Sequence, residues 1–192
     1  MQKTKNILKL VASVIALISS ISFINMGMQN FFAISSDLAT SDVVLVNITS
    51  GVCNLITGCA ILYFIIDMIV NISNMKPSYT KTPLYLIAIY SACQLIITVI
   101  TMIVYSLWGN GDIWFTIVVC ISLLIISIIS IIKNEIKIAS ILGLIVTTLL
   151  IAFLIIEYNL ANYSILTLII ASVLAIICYI FNLFDNSNNI TE

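Results

Sequence analysis

The sequence predicts an all-α, polytopic integral membrane protein, a six-transmembrane-helix bundle with short loops. Three observations carry that expectation. Of 192 residues, 62% are hydrophobic and 8% are charged, whereas a soluble domain carries about 25% charged residues to cover its surface. Six apolar runs are each long enough to cross a hydrocarbon core about 30 Å thick, which takes roughly 20 helical residues at about 1.5 Å each. The seven basic residues, all lysines, fall only in alternate connections between these runs. Lipid cannot satisfy backbone polar groups, so the spans must be helices. Runs this long without alternation do not describe a barrel.

The runs lie near 8–28, 52–73, 84–107, 113–132, 137–156 and 164–184, within one transmembrane domain, 1–184. A polar tail, 185–192, follows and is expected to be disordered. The first run comes after Lys3 and Lys5 and takes in Lys9, as a signal peptide's charged region would. It lacks an A-x-A-like cleavage site and exceeds a usual signal core, so an uncleaved span is expected. The longest loop is expected at 29–51, with Ser41 or Asp42 placed to cap an early start of the second helix near Val43. Pro83 suits the first turn of the third helix, where its missing N–H costs nothing. Trp108 and Trp114 bracket a tight Gly-Asn-Gly-Asp connection, 109–112, where an aromatic belt would place them.

Lysine placement predicts orientation. Lys3, Lys5 and Lys9 open the first span, Lys76 and Lys81 join the second to the third, and Lys133 and Lys137 join the fourth to the fifth. The other connections hold no lysine. With six spans, the positive-inside bias puts all three groups and both termini in the cytoplasm. Removing any internal span would scatter the lysines over both sides. The absence of Arg beside abundant Ile and Asn suggests an AT-rich genome, and hence a bacterial cytoplasmic membrane.

Composition excludes several functions. A net charge of −1 gives no electrostatic case for nucleic acid. The chain has no His, which removes the commonest general base and metal ligand. Cys53, Cys59, Cys93, Cys120 and Cys178 sit in apolar runs without metal-ligand spacing and read as small buried hydrophobes. There is no HExxH, GxSxG, phosphate-cradling loop or paired intramembrane Asp. No catalytic, cofactor or metal residue is assigned, and an enzyme is not expected.

Asp67 is the charge that the predicted spans place at depth. Eleven Leu, Ile, Val and Phe residues in 52–72 return roughly 3–7 kcal/mol on insertion, against about 2.5–3.5 kcal/mol for a central Asp. Thr57, Ala60, Tyr63, Asp67, Asn71 and Asn74 share one helical face. Such a group can serve ion or proton coupling or a substrate contact. The plainer reading is a carboxylate paired with Lys9, which enters span one from the same side, and pairing is the expectation.

In span three, Tyr90, Gln94, Thr98, Thr101 and Tyr105 form a second polar stripe that must face protein or a wet cavity. A seam between spans two and three is therefore the candidate site: Lys9, Tyr63, Asp67, Asn71, Tyr90, Gln94, Thr98, Thr101 and Tyr105. Small residues at helical spacing mark packing faces: Ala12, Ala16 and Ser20 in span one, Ala139 and Gly143 in span five, Ala171 and Ala175 in span six.

Six spans, this length, both termini inside and the Ala12-x-x-x-Ala16 face resemble the substrate-binding S components of energy-coupling-factor vitamin transporters. The resemblance implies that Ala12 and Ala16 would meet a transmembrane coupling subunit. It covers architecture, not sequence: those proteins have binding loops richer in Gly and Pro, against six Gly and two Pro here. Membership is not claimed. Two functions are therefore expected in order. The first is a non-enzymatic accessory component, immunity-type or a complex subunit, whose partners are the lipid bilayer and other membrane proteins. The second is a small-solute carrier or binding subunit of unspecified substrate.

Overall fold

The computed structural model describes residues 2–34, 40–74, 82–132, 141, 144, 145 and 147–152. Four helices run through them: α1 Gln2–Ile34, α2 Ser41–Asn74, α3 Thr82–Val104 and α4 Gly111–Ile132. Each is long and apolar enough to cross a membrane, so the described residues have the all-helical, multi-span character of a polytopic membrane protein. The described part of the fifth run is helical, and Leu150 packs into the core. The sixth run, 164–184, the tail 185–192, and Ala139, Gly143, Ala171 and Ala175 lie outside the described residues.

The expected loop at 29–51 is corrected. α1 continues to Ile34 and α2 starts at Ser41, leaving a connection at 35–40. The polar residues there do not break the helix because they can bond along it. Thr49, for example, donates to the Leu45 carbonyl at 2.9 Å. The early start expected for α2 is present: Val44 N–H donates to the Thr40 carbonyl at 3.0 Å. Asp42 lies in the first turn, where the helix dipole favours an anion.

α3 ends in a left-handed cap. Ser106 has φ 52°, Leu107 N–H donates to the Met102 carbonyl at 3.0 Å and Ser106 N–H to the Ile103 carbonyl at 3.3 Å. This pair satisfies carbonyls that the helix end would leave bare. Asn110 caps α4, its Oδ1 accepting from Asp112 N–H at 2.9 Å. Trp114 Nε1 reaches back to the Trp108 carbonyl at 2.9 Å, so both tryptophans brace the turn they bracket.

The helices pack in sequence, α1 on α2, α2 on α3 and α3 on α4. Ala16, Phe23, Ile61, Phe64, Ile65, Ile87, Tyr90, Cys120, Leu123 and Leu150 form the common core. Phe23 and Tyr90 meet edge to face at 6.3 Å and 75°, linking α1 to α3. The α1–α2 contact is the closest. A Cβ on Gly58 would stand 2.6 Å from Ile24 Cγ1 and 3.2 Å from the Ser20 carbonyl oxygen. One on Gly27 would stand 2.8 Å from Leu55 Cγ, and one on Gly51 3.0 Å from the Phe31 ring. Ser13, Ser20 and Gly27 recur at intervals of seven, as do Gly51 and Gly58. That period keeps small residues on the facing seam of two coiled helices.

Candidate functional site

Two contacts set the register of α2 against α3. The Cys53 thiol lies against that of Cys93. Nearer the other end of α2, Ile56, Cys59, Ala60, Tyr63 and Phe64 line a cavity of about 300 Å³ with Tyr85, Leu86 and Ile89 of α3. Tyr63 is thus level with the start of α3's crossing stretch, Leu84–Val104. Asp67 lies one turn further, about 6 Å, past that level. It is half-buried. The register sets the carboxylate near the edge of the bundle, where insertion cost falls. This is the end of its span where the sixth position before Ser73 already puts it, about 9 Å inside the boundary.

The remaining seam residues spread along the helices. From Cys53 to Asp67 is fourteen residues, so Gln94, next to Cys93, stands about 21 Å from Asp67 along the axis. Tyr90 is 5% exposed, in the core against Phe23. Gln94, Thr98 and Thr101 are half-buried. Thr98 donates to the Gln94 carbonyl at 2.8 Å. Tyr105 is exposed in the turn beyond α3. Tyr63 is 68% exposed, whereas Thr57, on the same expected face, is buried and donates to the Cys53 carbonyl at 2.9 Å. The structure thus brings Tyr63 together with the start of α3 and leaves Asp67, Gln94 and Tyr105 at three levels. The side chains of Lys9 and Asn71 are outside the described ones. The backbone register of α1 on α2 puts Lys9 within about one turn of Asp67's level.

Packing residues fare differently. Ala16 and Ser20 are buried on α2, while the side chain of Ala12 lies outside those described. The sequence reading looked for small residues four apart and missed Ser13, Gly27, Gly51 and Gly58. The interval of seven was the available signal. It also missed two hydroxyls. Ser91 on α3 and Ser127 on α4 are fully buried without a hydrogen-bond partner, although Ser130, one turn on, donates to the Ile126 carbonyl at 2.7 Å. If the ends of the α3–α4 hairpin are level, Ser91 and Ser127 differ by about 4–5 Å along the axis.

Chemically, the groove between α2 and α3 is an apolar slot open to the surface, with two tyrosines at one end. Among the described residues no cluster of three His, Cys, Asp or Glu could hold a metal ion. Compared with protein-family models, curated proteins and solved structures, the chain matches none.

Proposed function

We propose that this chain is a six-span protein of a bacterial cytoplasmic membrane, with both termini cytoplasmic, that acts without catalysis by binding other membrane proteins. An accessory or immunity-type component, or a subunit of a membrane complex, fits this reading. The observation that supports it best is the dispersal of the polar side chains. A carrier gathers polar groups near the midplane. Here Asp67 and Gln94 are about 21 Å apart along the axis, and several hydroxyls within the spans bond to backbone carbonyls: Ser20, Thr57, Thr98 and Ser130. The outer faces of α1 and α4 present Val14, Ile21, Ile125 and Ile129 to the surroundings, ready for lipid or for another helix.

Photo-crosslinking from Val14, Ile21 and Ile125 in native membranes tests the proposal. A discrete, stoichiometric adduct with one other membrane protein is expected. Adducts with lipid alone would overturn it. Reporter fusions to the 105–110 turn and to both termini test the orientation, and the termini should report the same side.

A second reading, a small-solute carrier or binding subunit, draws on the Ser91 and Ser127 hydroxyls. Two buried, unpartnered hydroxyls on adjacent helices could take a polar solute. A solute that raises the melting temperature of the native protein, but not of Ser91→Ala with Ser127→Ala, would favour the carrier.

A further inference from the structure

We infer that α1 pairs in parallel with α1 of a second copy of this chain, along an exposed seam that holds Asn25. The inference goes beyond the proposed function. It gives the α1 face to a second copy and leaves the α4 face, with Ile125 and Ile129, to a different membrane protein.

The carboxamides of Asn25 and Gln29 are exposed on α1, one turn apart and so on one face. Neither has a hydrogen-bond partner among the described residues. Packing fixes their depth. Gly27 lies against Gly51 and Leu55, and Gly58 against Ile24 and Ser20, so α1 and α2 are antiparallel. Asn25 is then level with Leu55, and Gln29 with Gly51. Because Cys53 meets Cys93, these levels fall at 91 and 95 on α3, whose crossing stretch is Leu84–Val104. Both amides are within about 5 Å of its middle. Acyl chains offer no donor or acceptor there, whereas a neighbouring helix can.

The surroundings of Asn25 describe that neighbour. Val14, Ile18, Ile21, Asn25, Met28 and Phe32 are all exposed and recur in alternating steps of four and three. That period of 3.5 keeps a stripe on the seam of two coiled helices. Ile18, Asn25 and Phe32 take the a positions, and Val14, Ile21 and Met28 take the d positions. One Asn among apolar a residues fixes register and strand number in a parallel pair.

Symmetry favours a second copy. Two copies in one membrane share an orientation, so a two-fold axis along the membrane normal makes their α1 helices parallel and brings each residue to its counterpart. A carboxamide both donates and accepts, so Asn25 and its counterpart satisfy each other. A different protein would need an amide of its own at this level. Lys5 and Lys9 fall at b and f positions, off the seam, so the pairing does not set those charges face to face.

The test measures energy transfer between donor- and acceptor-labelled full chains in phosphatidylcholine vesicles over a lipid dilution series. A reversible dimer is expected. Asn25→Leu should weaken it roughly five- to thirtyfold, the worth of one interhelical amide contact in model helices, and Asn25→Gln should keep most of the affinity. Ser122→Leu should leave it unchanged, since that exposed α4 hydroxyl bonds its own helix at 2.8 Å. Transfer no greater than random proximity gives, or an Asn25→Leu chain that dimerises as well as the native one, would overturn the inference. A photo-crosslinker in native membranes identifies the occupant without the Asn25 variants. At Met28 it should give an adduct of twice the chain's mass, and at Met26, exposed but off the seam, only lipid adducts. Lipid alone or a different protein captured at Met28 would overturn the second copy. The adduct sought from Ile125 tests the proposed function separately.

Discussion

The Ser20 hydroxyl donates a 2.8 Å hydrogen bond to the Gly58 carbonyl, tying α1 to α2 where the two backbones come closest. The bond and the missing side chain of Gly58 depend on each other. A Cβ at 58 would press on Ile24 and on the backbone of the turn that carries Ser20.

Gly58→Ala should therefore destabilise the protein by about 1–3 kcal/mol, the usual cost of overpacking. Gly109→Ala is the control, because nothing lies within 4 Å of a Cβ there, and it should stay within about 0.5 kcal/mol. Unfolding in mixed micelles measures both. Equal effects would mean the seam is looser than described.

Ser20→Ala removes the bond without adding bulk. The Gly58 carbonyl keeps its helical partner, so the loss should be near the 0.6 kcal/mol average for interhelical bonds in membranes. A loss above about 2 kcal/mol would show that the hydroxyl holds more than this carbonyl.

Tyr90→Leu should cost about 0.5–1.5 kcal/mol beyond lost area, because it deletes the edge-to-face contact with Phe23. A double-mutant cycle with Phe23→Leu isolates that term. Strict additivity of the two substitutions would count against the contact.

Asp67→Asn should lower yield, and adding Lys9→Gln should then cost little more if the two pair. Ile61→Asp supplies the scale. Ile61 is 1% exposed in the core, and a carboxylate placed there should be far more damaging than Asp67 is. Additive losses at 9 and 67 would argue against pairing.

Ser91→Ala and Ser127→Ala should be neutral or slightly stabilising, since an unpaired buried hydroxyl costs free energy that alanine does not. Ser130→Ala, which breaks a bond to the Ile126 carbonyl, should be the more costly of the three. A ranking with Ser130 least affected would refute this account.

Composition and run length made the class and the positions of α3 and α4 legible, because apolar length is what a bilayer selects. The ends of α1 and α2 were not. Polar residues such as Asn47, Thr49 and Ser50 mark where water or a neighbouring carbonyl can serve a side chain, not where a helix must stop. The level of Asp67 against α3 was not legible for a related reason. Hydropathy sees a run of apolar residues, but the level of a residue depends on its neighbours, here on Cys53 meeting Cys93 and on Tyr63 meeting Tyr85. The small-residue face was half legible: Ala16 and Ser20 follow the period of one helix, whereas Gly27, Gly51 and Gly58 follow the period of a pair. Ser91 and Ser127 had no local signal, since whether a hydroxyl finds a partner is decided by the helix opposite.

The extra length of α2 has a mechanical consequence. The crossing stretch of α2 has 27 residues and that of its packed neighbour α3 has 21, about 40 Å against about 32 Å. Locked side by side, they cannot tilt independently to hide the difference. The crossing stretches of α1 and α4 have 22 residues each, so the bilayer must thicken locally beside α2 alone, at a fraction of a kcal/mol for each ångström of mismatch. Such a mismatch carries its own elastic preference. A bundle with one long span favours places where membrane thickness changes, with α2 turned toward neighbours of equally long spans.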